Sequence, residues 1–245
     1  MPKKKIYTVA TSHLDTVWSW DFETTVSQYI YNTLVDNFKL FEKYPSYKFS
    51  FEGSYRYELM EEYYPELFDK MKDYIAKGRW NVCGSAFENG DTNIPSPEAL
   101  FRNILFGNSY FDEKFGKRSV DIYLPDCFGF GWALPAIERH SNLMGFTTQK
   151  LAWGSAYGIP FDIGKWQGVD GSEVYASINR TIIITLLQSF VIGILFLISL
   201  KKMKSMTLMI HISFTVLVTG AAHLMKRALL LLKKKSRKMM KVILK

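Results

Sequence analysis

Between residues 5 and 153 the chain alternates short apolar runs with longer stretches whose apolar residues recur every three or four positions. A short apolar run reads as a strand and the 3.6-residue period as an amphipathic helix. Strand, helix and strand in that order require crossover connections, so the strands lie parallel in a sheet with helices packed on its faces. The class predicted is α/β, either an open sheet or part of a barrel. The predicted strands are residues 5–10, 47–51, 80–83, 120–124 and 149–153. The first predicted helix, 21–44, carries Val26, Ile30, Leu34, Phe38 and Phe41 at helical spacing and is stopped by Pro45. Others are predicted at 55–77, with a break near Pro65, at 97–115 and at 134–142. Ser96-Pro97-Glu98 marks the start of the third, with Ser as the capping residue and Pro in the first helical position.

This alternation stops near Asn179. Of the 31 Lys and Arg, 12 lie beyond residue 180, where there is no Asp, Glu, Pro, Trp or Tyr. Residues 1–180 therefore hold 19 basic against all 23 acidic groups, a net charge of −4, and the chain's +8 belongs to its tail. Nucleic-acid binding inferred from the overall charge is excluded for the main body. Residues 181–200 and 205–225 are uncharged, with Lys201, Lys202 and Lys204 between them and a Lys-rich end after them. About 20 apolar residues cross a bilayer, and basic flanks suit an inside loop, so one reading of the tail is two membrane-spanning helices. The other is a segment translated out of frame from about residue 180. Two cysteines, Cys83 and Cys127, make neither a disulfide framework nor a zinc-finger spacing. With a basic start too short in apolar residues for a secretory signal, they predict a cytoplasmic, reducing location.

Two constellations carry chemistry. Ser12-His13-Leu14-Asp15-Thr16-Val17-Trp18 follows the first predicted strand. In extended chain, residues two apart point to the same side, so His13 and Asp15 converge, and one nitrogen with one hard oxygen suits Zn²⁺. The competing reading has them cap the next helix or pair with each other. In Tyr123-Leu124-Pro125-Asp126-Cys127-Phe128-Gly129 an apolar strand runs into an Asp and a glycine-rich turn. That edge is where parallel α/β folds build active sites, although Asp and Gly are also ordinary turn residues.

Taken together, with Gly78-Arg79-Trp80-Asn81-Val82 and Asn93-Ile94-Pro95-Ser96 between them, these motifs resemble the catalytic domain of the α-mannosidases of glycoside hydrolase family 38 over residues 5–179. The resemblance implies the N-terminal part of an irregular (β/α) barrel with a parallel sheet, a Zn²⁺ cofactor and a mannose-containing oligosaccharide as substrate. By the same resemblance His13 and Asp15 are zinc ligands, Asp126 is both ligand and catalytic nucleophile, and Trp18 and Phe128 wall the sugar subsite. A retaining glycosidase needs a nucleophilic and an acid/base carboxylate about 5 Å apart. The family's acid/base Asp and its second His ligand lie further along, past the change at Asn179. His211 and His223 are not followed by an Asp and read as incidental, so the chain is expected to be an inactive fragment. Glu88 and Asp91 read as solvated loop carboxylates, His140 as a surface residue and Cys127 as packing. Reading the permitted codons for 215–226 one base earlier allows a run similar to the Gly-Asp-Gly-Gly-Gly-Gly-Pro segment of the family's cytosolic-type branch, which favours the frame-shifted tail. Two rivals remain: a membrane protein with a soluble carbohydrate-binding domain and two C-terminal spans, and another zinc hydrolase of polysaccharide deacetylase type.

Overall fold

The computed structural model describes residues 6–152, 161, 163–178 and 210–217. Strands β1 (Ile6–His13), β2 (Phe49–Glu52) and β3 (Trp80–Cys83) are parallel neighbours. Ala10 stands opposite Phe49, and Phe49 opposite Trp80. A further strand, Ile210–Leu217, runs parallel along the whole other edge of β1, from Ile6 opposite Ile210 to His13 opposite Leu217. A second sheet is built from β4 (Asp121–Tyr123), β5 (Gly145–Thr148), β6 (Ile163–Gln167) and β7 (Glu173–Ile178), in the order β4-β5-β7-β6. It is parallel except for the β6–β7 hairpin. The sheets adjoin where the chain leaves β3: Ser85 N donates to Asp121 O at 2.9 Å and Gly84 N to Asp121 Oδ1 at 3.2 Å. Among the described residues they do not close into a barrel.

The helices follow the predicted periodicity. Asp21 Oδ1 accepts from Thr24 N at 2.8 Å and opens α1 (Phe22–Thr24), which widens into a π turn at Thr25–Ile30 and continues as α2 (Tyr31–Lys43). The widened turn has a local cause. Thr25 is wholly buried, with its hydroxyl donating to Thr16 O at 2.6 Å and accepting from Trp20 Nε1 at 2.8 Å. It thereby ties the helix to the loop that follows β1, and π turns of this kind are common beside functional sites. Pro65 splits the next stretch into α3 (Ser54–Tyr63) and α4 (Pro65–Ala76). Helix α5 (Pro97–Phe115) is capped by Ser96 Oγ, which accepts from Ala99 N at 3.2 Å. It ends on the left-handed Gly116, at φ 60°. Against the first sheet these helices bury Phe49, Phe51, Tyr57, Met60, Trp80 and Phe111. The polar atoms there are paired: Trp80 Nε1 donates to Tyr57 Oη at 3.0 Å, and Tyr57 Oη donates to Phe51 O at 2.9 Å.

One predicted strand is corrected. Residues 149–153 were expected to be extended, whereas the strand is Gly145–Thr148 and Lys150–Ala152 is a 3-10 turn. After α6 (Leu134–His140), Asn142 takes a left-handed conformation at φ 61°, and Met144 N reaches Val120 O at 2.8 Å. The chain thus re-enters the sheet earlier than its apolar run suggests, burying Phe146 and Thr148. Lys150 is thereby carried past the carboxyl end of the strand. In the tail, Ile210–Leu217 lies inside the second uncharged run, while residues 181–200 lie outside the described residues. No helix among the described residues is long and apolar enough to cross a membrane.

Helix α6 carries an unpaired acid. Glu138 is fully buried, and neither carboxylate oxygen has a hydrogen-bond partner. Burial, followed by the nearby charge of Asp121, pushes its carboxyl from 4.5 to about 9. A proton retained in the folded chain and lost in the unfolded one makes stability fall as pH rises from about 4.5 to about 9. By pH 7 the loss amounts to about 3 kcal/mol, because each pH unit inside that window costs about 1.4 kcal/mol. Glu138→Leu is therefore expected to raise the melting temperature at pH 8 and to flatten the pH dependence. Calorimetry at pH 5, 7 and 8 measures this, and a Leu variant with the same pH slope as wild type would contradict it.

Candidate active site and metal centre

The parallel strands deliver polar side chains at their carboxyl ends, the edge at which α/β folds bind ligands. His13 is the last residue of β1 and Glu52 the last of β2; Asp126 stands three residues beyond β4 and Lys150 two beyond β5. His13 is buried, with Nδ1 2.6 Å from Glu52 Oε1 and Nε2 3.1 Å from Asp15 Oδ1. One ligand atom each from His13, Asp15 and Asp126 lie within 4.8 Å of one another. Of the two readings of the His-x-Asp pair, convergence with a distant third ligand and pairing with each other both hold in this geometry.

These residues fit a zinc ion. The donor set is one imidazole nitrogen and two hard oxygens. Glu52 supplies the carboxylate that orients a metal-binding histidine from its other nitrogen, fixing the ring with Nε2 turned toward Asp15. Glu52 is itself wholly buried and takes a hydrogen bond from Asn89 Nδ2 at 2.7 Å. Burial alone would lower the His13 pKa, but the hydrogen bonds to Asp15 and Glu52 outweigh it and raise it to about 9. The hydrogen bond from His13 in turn holds the Asp15 carboxyl below its usual range. A metal binding Nε2 at neutral pH therefore displaces a proton, and its affinity rises with pH up to about 9. Glu52→Gln removes the charge but keeps the shape. It is expected to bring the His13 pKa down from about 9 and, read above pH 9 where no proton has to be displaced, to weaken zinc binding about 10–100-fold. Imidazole NMR titration and chelator competition read the two effects; unchanged zinc affinity would remove Glu52 from the site.

Arg56, on α3, is the strut behind the His-x-Asp segment. It is buried, with Nε and Nη2 donating to Leu14 O at 2.9 and 2.5 Å. That carbonyl belongs to the residue between His13 and Asp15. Arg56 Nη1 lies 2.5 Å from Glu88 Oε1, and Glu88 Oε2 accepts from Thr16 Oγ1 at 2.8 Å. Gly53 makes room for the guanidinium: at φ 75°, a Cβ there would stand 2.6 Å from Arg56 Nη1. Glu88 is thus not the solvated loop carboxylate expected; a buried cation and the Thr16 hydroxyl, on the loop that carries Asp15, hold it. Asp91 is exposed and accepts from Asn93 N and Ile94 N at 2.6 and 2.9 Å, shaping its own loop.

Asp126 is 30% exposed and forms an ion pair with Lys150, which is 14% exposed. The ammonium also lies 4.0 Å from the centre of the Phe128 ring. Phe128 is 82% exposed and Trp18 68%, the latter edge-on to Trp20 at 5.6 Å. Both rings therefore present open surface, and Phe128 does so against the lysine paired with Asp126. Cys127 is buried, with Sγ 3.3 Å from Gly129 O, in keeping with packing. Thr92 Oγ1 donates to Gly129 O at 2.8 Å and fastens the two loops together. His140 is exposed, 3.6 Å from Asp170.

Sequence reasoning missed Glu52, Arg56 and Lys150. Glu52 had a signal: Phe49-Ser50-Phe51-Glu52-Gly53 is an apolar strand ending in an acid and a glycine, the pattern that singled out Asp126. Lys150 was hidden by the misplaced strand, and Arg56 by its position among the ordinary charges of a helix.

Fold and site define an α/β domain with a candidate metal centre at the carboxyl edge of its parallel strands. Residues 3–209 match the glycosyl hydrolases family 38 N-terminal domain, and the chain belongs to that family. The match extends past Asn179. The chain is 32% identical over 170 residues to "Alpha-mannosidase G" of Dictyostelium discoideum, covering 69% of this chain and 16% of that protein. It is likewise 32% identical over 169 residues to human "Alpha-mannosidase 2C1", again 69% of this chain and 16% of the relative. Among solved structures it resembles an alpha-mannosidase from Enterococcus faecalis V583, with a TM-score of 0.70 at 22% identity over 87% of this chain and 25% of that one. It thus spans about a sixth of the length of these curated relatives.

Proposed function

We propose that this domain carries the nucleophile and part of the metal site of a zinc-dependent, retaining α-mannosidase. The observation that carries the reading is the convergence of the His13-x-Asp15 segment and Asp126, more than a hundred residues apart in the chain, onto one locus. When bound, zinc would serve as a template for sugar hydroxyls. His13, Asp15 and Asp126 would hold it, with Glu52 fixing the imidazole and Arg56 fixing the turn between the first two ligands. Asp126 attacks the anomeric carbon of mannose as the bond to the leaving oxygen breaks, and water later releases the sugar with its original anomeric configuration. Trp18 and Phe128 flank the sugar. Mannose-containing oligosaccharides as substrates and a cytoplasmic location belong to the same reading.

The leaving oxygen needs a proton from a second carboxylate, a contribution of about 10²–10⁴ in rate. Glu52 is closed under His13 and Glu88 is held by Arg56, so no acid is assigned among the described residues. An aryl α-mannoside should accordingly be hydrolysed near background by this chain. Fluoride, by contrast, leaves without a proton. Incubation with a deoxyfluoro-α-mannosyl fluoride and zinc should place one sugar on Asp126, seen as a mass increase on the peptide that contains it. No labelling, or equal labelling of Asp126→Ala, would overturn the proposal.

A further inference from the structure

Lys150 has no place in the proposed function, yet it pairs with one member of the cluster, Asp126. Its ammonium is held by the Asp126 carboxylate and by the face of the Phe128 ring, 4.0 Å away. Its charge also acts on Asp15. The mounting is specific. Lys150 N bonds to Thr148 Oγ1 at 3.2 Å, and Thr148 Oγ1 donates to Leu124 O at 2.7 Å, two residues before Asp126. One hydroxyl thus joins the turn that carries the cation to the strand end that carries the carboxylate.

A cation here works against a metal. Even at the dielectric of water, a unit charge about 5 Å from a divalent ion alters its affinity about tenfold. The low exposure of Lys150 makes the effective dielectric smaller and the effect larger. For a purely structural metal centre such a neighbour is a defect. For a carboxylate that must be both ligand and nucleophile it has a use, because an oxygen bound firmly to a metal is a poor attacking group.

We propose that Lys150 is a positioning residue that competes with the metal for Asp126, lowering metal affinity and keeping this carboxylate a labile ligand available for attack. The inference rests on the metal and nucleophile roles proposed above and adds the device that reconciles them in one side chain. It gives two effects of opposite sign. Removing the cation should tighten zinc binding and slow attack by Asp126, whereas damage to the fold would weaken both.

The test uses the full 245-residue chain as wild type, Lys150→Met, Lys150→Arg and His13→Ala. Zinc affinity is measured by competition with a chromophoric chelator, and attack by the rate of labelling with the deoxyfluoro-α-mannosyl fluoride at saturating zinc. Lys150→Met should bind zinc at least tenfold more tightly than wild type and label at least tenfold more slowly. Lys150→Arg, which keeps the charge, should stay within about threefold of wild type in affinity. His13→Ala separates the levels: zinc binding equal to wild type there means that the metal site itself is wrong, and this inference falls with it. If His13→Ala loses zinc while Lys150→Met binds it equally or more weakly, the metal site stands and the role given to Lys150 is overturned. Faster labelling by Lys150→Met overturns it as well.

Discussion

Replacing Arg56 with Met is expected to destabilise the domain by about 2–4 kcal/mol and to weaken zinc binding at least tenfold. The carbonyl of Leu14 accepts both its side-chain hydrogen bonds from this guanidinium, and a buried acceptor left without a partner costs about 1–3 kcal/mol. Breaking a fully buried ion pair costs about 3–5 kcal/mol. Here the partner, Glu88, is about a third exposed and regains water, so the penalty falls below that range. Thermal melts read the stability and chelator competition the affinity. Arg56→Lys restores one hydrogen bond and should recover only part of either. If Arg56→Met loses stability but keeps full zinc affinity, Arg56 supports the fold without placing the ligands.

A second large effect is expected where helix α5 touches the loop after β3. Alanine is normally preferred to glycine inside a helix by about 1 kcal/mol. At Gly107, however, a Cβ would lie 2.1 Å from Ser85 O, 2.5 Å from Ala86 C and 2.6 Å from Phe87 N. These are backbone atoms, and no rotamer relieves them, so the strain should reach about 3 kcal/mol or more. The displaced segment continues into Glu88 and Asn89, which hold Arg56 and Glu52. Gly107→Ala should therefore lower both the melting temperature and the zinc affinity, although it lies on a helix with no site residue. A Gly107→Ala chain as stable as wild type would show that helix and loop are not packed so closely.

What the sequence revealed and what it hid follow from the range of the interactions involved. The helices at 97–115 and at 55–77, with its break at Pro65, were legible because capping, proline and periodicity act over a few residues. His13, Asp15 and Asp126 were each candidates from their place at strand ends, the family resemblance joined them into one site, and the structure brings them together. Contacts set by topology were not. Glu52 meets His13 across 39 residues and Arg56 meets Leu14 across 42, and nothing local to either pair announces the meeting. Lys150 was lost for a different reason: a left-handed Asn142 moved the strand forward, which no apolar pattern records. The π turn at Thr25–Ile30 was equally hidden, because its cause is the hydroxyl of Thr25 reaching back to Thr16.

The measurement that bears most directly on the proposed metal centre is zinc stoichiometry after equilibrium dialysis, comparing wild type with the His13→Ala/Asp15→Ala double variant. Dialysis is run at about pH 9 over a series of free-zinc concentrations, so that the His13 proton does not compete and saturable uptake is told apart from adventitious binding. The expected result is about one zinc per wild-type chain and none above background in the double variant, because two of the three converging ligands are gone. Equal zinc uptake by the two folded proteins would contradict it and would leave a His13–Asp15 hydrogen-bonded pair beside an Asp126–Lys150 ion pair, with no metal between them.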